Sequence, residues 1–126
     1  ILKLRGDSSY PKFYIEDIES LKEYCKGVKH FIAHNAIFDR NFSKFNWDNS
    51  FCTCSSNTDI MKLTMSSKNR RYKKPKLSEA ASFYDVCLDN VQLHDAFGDA
   101  YLCKEVFKNM LKSPVARDKI IKFLIN

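Results

Sequence analysis

The sequence predicts an α/β domain in which helices outnumber short strands. The segments at 29–33 and 50–54 have the length and the polar boundaries of buried strands. The longer segments around them repeat apolar residues at spacings of three and four, which is the helical period. A length of 126 residues suits one core, so we assign residues 1–126 to a single domain.

The first half of the chain contains one helix, one strand and a second helix in this interpretation. We expect the first helix at 16–27, where Gly27 is a suitable stop. The strand at 29–33 is apolar and should be buried. Asn35 follows it and can cap the next helix, which we expect to run to about Phe45.

The second half is predicted to be mainly helical. After the strand at 50–54 we expect a short helix at 59–65 and another at 75–84. A long helix should occupy 95–111, because Asp95 is a good N-cap for it. Pro114 would begin the last helix.

The two predicted strands make too small a sheet for a complete α/β fold. A complete version would need further strands, most naturally from before Ile1. The chain does not begin with Met, and we therefore expect that its N-terminal strands are missing.

The basic charge of the chain is concentrated in one segment. The net charge is +6, and residues 68–76 hold six Lys or Arg and no acidic residue. Without this segment the chain has 15 basic and 15 acidic residues. A local basic patch suits contact with a phosphate backbone, and the alternative is a solvated loop whose charges only aid solubility.

Cysteine usage and hydropathy predict a cytoplasmic protein without a membrane segment. No apolar run approaches the length of a membrane span, and the start Ile1-Leu-Lys-Leu-Arg has no signal-peptide pattern. The five cysteines have no spacing typical of a disulfide framework, so free thiols in a reducing compartment are expected. The pair Cys52 and Cys54 is too closely spaced for a zinc site.

Two short strings contain the residues most suited to catalysis. The first, from Phe31 to Asp39, reads Phe-Ile-Ala-His-Asn-Ala-Ile-Phe-Asp and places an acid just after a strand. Ligand sites of open α/β sheets collect at such carboxyl ends. Asp39 lies among apolar residues there, so a divalent cation would suit it. The alternative is an acid that only favours the helix dipole.

The second string, from His94 to Ala100, reads His-Asp-Ala-Phe-Gly-Asp-Ala. On one helix His94 and Asp99 would point about 140° apart. They converge only if His94 precedes a helix that Asp95 caps. A loop His beside an Asp of the first turn suits a general base next to a metal ligand. The alternative is a His packed at a helix start and an Asp on the surface.

In order and spacing, the stretch from about Phe13 to Leu111 resembles the DnaQ-like (DEDDh) 3′-5′ exonuclease family. The two strings match the second and third motifs of that family, and a basic loop and a Leu-containing helix lie between them. Cys52 and Thr53 stand where many members have Asp-Thr. The resemblance implies a ribonuclease H-like exonuclease fold.

The resemblance also implies a two-metal hydrolysis of a terminal phosphodiester bond. Four carboxylates would hold two Mg²⁺ or Mn²⁺ ions through oxygen ligands. Asp39 and Asp99 would be two of these metal ligands, and His94 would be the general base. The side chains placed against the terminal nucleotide would be His34, Asn35 and Phe38.

The first motif of the family, an Asp-x-Glu on a strand, has no convincing counterpart. Asp17 and Glu19 imitate it, but their segment has helical periodicity and lies too close to Asp39. With only Asp39 and Asp99, two ions would lack most of their protein ligands. We therefore expect residues 1–126 alone to be inactive or nearly so, with the missing carboxylates encoded upstream of Ile1.

The leading hypothesis is a DNA 3′-5′ exonuclease, as in replicative proofreading. Its partners would be the 3′ end of single-stranded DNA and a DNA polymerase subunit. One alternative is an RNA 3′-end exoribonuclease of the same superfamily. Another is a degenerate module that binds nucleic acid or protein without catalysis, which the missing first motif favours.

Overall fold

The structure is a computed structural model that describes residues 15–65, 71–89 and 95–126. This part of the chain contains six helices and two strands. In chain order they are α1 (Ile15–Tyr24), β1 (Phe31–Ala33), α2 (Ala36–Ser43), β2 (Ser50–Cys52), α3 (Thr53–Met61), α4 (Leu77–Phe83), α5 (Ala96–Lys112) and α6 (Arg117–Leu124).

The two described strands form one small parallel sheet. β1 and β2 pair with Ile32 opposite Phe51, and α2 connects them as a crossover. The described chain is therefore mixed α/β, as predicted. β1 is less buried than expected, because Ile32 keeps 39% of its surface exposed. Among the described residues only β2 pairs with β1.

The core is centred on α5. Leu102, Val106 and Met110 lie on one stripe of this helix and are fully buried. Phe51 of β2 packs edge-on against Phe107, with ring centroids 5.4 Å apart. Truncating a buried Leu or Met side chain of this stripe to Ala costs about 2–5 kcal/mol. The buried cluster consists of Phe51, Ala80, Ala81, Tyr84, Leu102, Val106, Phe107, Met110, Ala116, Ile120 and Phe123.

The helix predicted at 59–65 was placed wrongly. α3 begins at Thr53, directly after β2, and ends at Met61. It can begin there because the thiol of Cys52 accepts a hydrogen bond from the backbone N–H of Ser55. It ends because Lys62 takes the left-handed conformation, with φ of 49°.

The remaining helices agree with the sequence in type and differ at their ends. α1 includes Asp17 and Glu19, so the Asp-x-Glu imitation does lie on a helix. Gly27 follows it with φ of 86°, a conformation that suits glycine. α2 stops two residues short of Phe45, because Lys44 is left-handed with φ of 64°.

The longest described helix, α5, has 17 residues and includes charged side chains. None of the helices in the described ranges is both long enough and apolar enough to cross a membrane.

Candidate functional site

Asp39 lies in the first turn of α2, just beyond the carboxyl end of β1. Its backbone N–H donates to the carbonyl oxygen of Asn35 at 3.3 Å. Burial raises the pKa of the Asp39 carboxyl above its usual value. No described residue donates a hydrogen bond to this carboxylate or forms an ion pair with it. Asp39 is therefore a half-buried oxygen donor whose charge the described residues do not neutralise.

Asp99 lies in the first turn of α5 and is also partly buried. The predicted cap of this helix is confirmed, because the Asp95 carboxylate accepts a hydrogen bond from the N–H of Gly98. The N–H of Asp99 donates to the carbonyl oxygen of Asp95 at 2.8 Å. Asp95 thus determines where the helix begins and where Asp99 stands on it.

The structure packs α5 against β1, although 60 positions separate Asp39 from Asp99 in the chain. The negative charge of Asp99 acts on His34, at the end of β1. The negative charge of Asp39 acts on Cys103, which lies one turn beyond Asp99 on α5. The charge of each acid therefore acts on a residue that lies in the other string or just after it.

His34 is bonded to the protein through both of its ring nitrogens. Nε2 donates to the carbonyl oxygen of Pro75 at 2.9 Å, and Nδ1 lies 2.9 Å from Oγ1 of Thr53. Burial lowers the pKa of His34, while the Pro75 hydrogen bond and the charge of Asp99 oppose this effect. The described protein thus already uses both polar atoms of the side chain, and contact between His34 and a nucleotide stays a prediction.

Asn35 and Phe38 are both exposed at the start of α2. Asn35 occupies the N-cap position, but its side chain makes no capping hydrogen bond, contrary to prediction. Its left-handed backbone, with φ of 79°, turns the chain from strand to helix. Phe38 keeps 44% of its surface exposed and stacks on Phe42 with ring centroids 6.2 Å apart. An exposed ring next to Asp39 is available for stacking on a ligand.

The thiol of Cys52 takes over the capping that Asn35 does not provide. Its sulfur accepts hydrogen bonds at 3.4 Å from the N–H groups of Ala36 and Ser55, at the starts of α2 and α3. Burial alone would raise the pKa of Cys52, but these hydrogen bonds, with another from the N–H of Asn35, lower it. Sequence reasoning missed this role. The signal that could have found it is its position at the end of β2, directly before α3.

Thr53 connects the residues at the centre of the site. Its hydroxyl is fully buried and lies within hydrogen-bonding distance of His34 and the Ala33 carbonyl oxygen. Sγ of Cys103 lies 3.7 Å from the same oxygen. Burial raises the pKa of Cys103 to about 11, so this thiol stays protonated near neutral pH. A single hydroxyl thus joins β1, α3 and α5.

His94, the predicted general base, lies outside the described residues. Within the ranges 15–65, 71–89 and 95–126, no group of three or more His, Cys, Asp or Glu side chains is placed to hold a metal ion. The described site therefore contains Asp39 and Asp99 and no third candidate ligand.

Comparison with known proteins does not assign this chain to a family. No protein-family model matches the chain, and neither the curated proteins nor the solved structures include a significant match. The exonuclease resemblance consequently depends on the two strings and on where their acids lie.

Proposed function

We propose that this chain acts as a metal-dependent 3′-5′ exonuclease with a ribonuclease H-like fold, on DNA in the cytoplasm. One observation supports this most strongly. Two partly buried carboxylates come from distant strings: Asp39 lies just beyond the end of β1, and the charge of Asp99 acts on His34 at that same end. Strand ends of this kind are the usual place for ligands in α/β sheets.

The chemistry of the two acids fits Mg²⁺ or Mn²⁺. Both ions prefer carboxylate oxygens, and the Asp39 carboxylate has no donor or cation among the described residues. Asp39 and Asp99 would be two of the four carboxylates that the exonuclease mechanism needs. When bound, a metal pair makes water nucleophilic and stabilises the leaving 3′ oxygen.

The remaining roles belong to side chains of this protein. His94 would accept the proton of the attacking water. Phe38 would stack on the terminal base, because its exposed ring lies one residue before Asp39. Stacking of a base on an aromatic side chain contributes about 1–3 kcal/mol. Asn35 is exposed on the same turn and could contact the terminal nucleotide.

The test is a cleavage assay with the full-length gene product. Single-stranded DNA labelled at its 5′ end should be shortened stepwise from the 3′ end with Mg²⁺ or Mn²⁺ and stay intact with EDTA. Asp39→Asn and Asp99→Asn should abolish most of this activity. His94→Ala should lower turnover by about 100-fold or more with little change in DNA binding. Asp118→Asn, an exposed acid of α6, is the matched control.

The outcomes separate the candidate functions. Wild-type rates in the Asp39→Asn or Asp99→Asn variant would show that the site assignment is wrong. Faster cleavage of a matched RNA oligonucleotide would favour an RNA 3′-end exoribonuclease. Binding of either oligonucleotide without cleavage under any metal condition would identify a binding module. Co-purification with a DNA polymerase subunit would support a proofreading role.

A further inference from the structure

The basic segment, defined as residues 71–76, is attached to the protein at several points. Tyr72 forms an antiparallel bridge with Met65, and the N–H of Lys73 donates to the carbonyl oxygen of Thr64 at 3.2 Å. The N–H of Lys76 donates to a carboxylate oxygen of Glu79 at 2.8 Å. The charge of this segment alone would be equally compatible with a loop that is not attached to the rest of the protein.

The basic segment is also attached at Pro75. Pro75 is buried, unlike the charged residues on either side of it. Its carbonyl oxygen accepts hydrogen bonds from Nε2 of His34 at 2.9 Å and from the thiol of Cys54 at 3.5 Å. The proline ring also fixes φ at this position, which lowers the conformational freedom of the segment.

The hydrogen bonds of His34 define its tautomer. A carbonyl oxygen can only accept, so Nε2 carries the proton and Nδ1 accepts from the hydroxyl of Thr53. His34 thereby joins the end of β1, the start of α3 and the basic segment. It lies five residues before Asp39, so the segment is held beside the proposed catalytic edge.

Most of the positive charge on the basic segment is available for a ligand. Lys73 is neutralised, because its Nζ contacts both carboxylate oxygens of Glu79 at 2.8 and 2.9 Å. Arg71, Lys74 and Lys76 are exposed and have no ion pair with any described residue. Three cations on a fixed backbone are a suitable surface for consecutive phosphates.

We propose that the basic segment is the binding track for the phosphate backbone of a single-stranded nucleic acid, and that His34 is a positioning residue that holds this track beside Asp39 and Asp99. The inference rests on the proposed function only for the class of ligand. Holding the segment in place before binding removes the entropic cost of ordering it, which would otherwise weaken association. In this account His34 acts through Pro75 and does not itself contact the nucleotide.

The first experiment measures binding without cleavage. Fluorescence anisotropy of a labelled oligodeoxythymidine of about 12 nucleotides is followed in EDTA over a range of salt concentrations. The triple variant Arg71→Ala, Lys74→Ala, Lys76→Ala should bind at least about tenfold more weakly. Its plot of log affinity against log salt should be shallower by about 2, because each lost phosphate contact on a single strand contributes about 0.7.

A control triple variant removes the same number of charges elsewhere. Lys26→Ala, Lys112→Ala, Lys122→Ala changes three exposed lysines on other parts of the described chain. It should leave both affinity and salt slope close to those of the wild type. If the two triple variants behave alike, the basic segment is not a specific track and the proposal is wrong.

The role of His34 is tested by a pair of substitutions. His34→Ala removes the donor to Pro75 and should weaken binding about tenfold although every cation remains. It should also speed amide hydrogen exchange at Lys73 and Lys76. His34→Gln keeps an N–H donor of similar reach and should restore most of the affinity. Val106→Ala, a buried substitution on α5, controls for general loss of stability.

Each result supports or overturns the proposal. Equal weakening by His34→Ala and Val106→Ala, without faster exchange in the basic segment, would show that His34 is only structural. Wild-type binding by His34→Ala would also overturn its positioning role. If the variants show all the expected binding losses but the wild type never cleaves DNA with Mg²⁺ or Mn²⁺, the proposal for the basic segment stands. The exonuclease proposal would then be wrong.

Discussion

The hydroxyl of Tyr84, at the end of α4, donates a hydrogen bond to Oδ1 of Asn57 in α3. Asn57 is fully buried, and its amide group donates to the carbonyl oxygen of Thr53 at 2.7 Å and to the sulfur of Met110 at 3.4 Å. Every polar atom of this buried side chain is thus paired. The three residues bonded to Asn57 belong to three different parts of the core, so one amide links α3, α4 and α5.

Tyr84→Phe should destabilise the protein by about 1–3 kcal/mol, because it leaves the buried Oδ1 of Asn57 without a donor. Chemical denaturation at neutral pH measures the change in the free energy of unfolding. Burial raises the pKa of Tyr84 to about 12, so the hydroxyl remains a donor throughout the neutral range. Tyr24→Phe is the matched control, since Tyr24 is 87% exposed. Equal stability of the two variants would exclude this role for Tyr84.

Asp39→Asn should stabilise the metal-free protein at pH 7. Because burial raises the pKa of Asp39 in the folded state, the native protein holds its proton where the unfolded chain has lost it. The wild type therefore loses stability as pH rises from the usual Asp pKa through the raised one. The increase in the free energy of unfolding caused by Asp39→Asn should be complete above the raised pKa of Asp39 and absent below the usual Asp pKa. Asp89→Asn, at an exposed acid, is the matched control.

The measurement for Asp39 is denaturant unfolding in EDTA near pH 7 and near pH 3.5. A stability difference between wild type and Asp39→Asn that is the same at both pH values would contradict the burial of this charge. Repeating the pH 7 series with Mn²⁺ extends the test to the proposed function. The ion should stabilise the wild type more than the variant, because binding to the folded state alone raises stability.

Cys52 should react with iodoacetamide faster than Cys54 or Cys103 in the folded protein. Thiolates are the reacting species, and backbone hydrogen bonds lower the pKa of Cys52. Burial raises the pKa of Cys54, and it raises that of Cys103 to about 11. Peptide mass spectrometry after timed alkylation near pH 7.5 gives the three rates.

The difference among the three thiols should disappear in denaturant, where each has the environment of an unfolded chain. This comparison is the internal control for peptide recovery. Equal rates in the folded protein, or faster modification of Cys103, would show that Cys52 does not accept hydrogen bonds from the N–H groups of Ala36 and Ser55.

Local sequence signals predicted the elements whose causes are local. Asp95 was expected to cap α5, and its carboxylate does so within three residues. Gly27 was expected to end the first helical segment, and it adopts the positive φ that favours glycine. Such features depend on neighbouring residues and on backbone sterics, so they are readable without the fold.

Where the capping group is an unusual residue or comes from a distant one, the sequence misled. The start of α3 was placed six residues late, because a cysteine is a rare cap and its thiol also serves α2. Asn35 was expected to cap with its side chain and turns the backbone instead. The second difference does not follow from residue preferences, since the sulfur of Cys52 reaches α2 only when β1 and β2 pair.

The sequence by itself determined the α/β class, the caps and stops of its longest helix segments, and the candidate acids Asp39 and Asp99. Only the tertiary structure decided that the charge of Asp99 acts on His34 and that of Asp39 on Cys103, and that His34 is bonded to Pro75, 41 positions away. The physical reason is that backbone periodicity and capping act over a few residues. The pairing of a buried polar group with its partner, by contrast, requires the packed core that brings distant segments together.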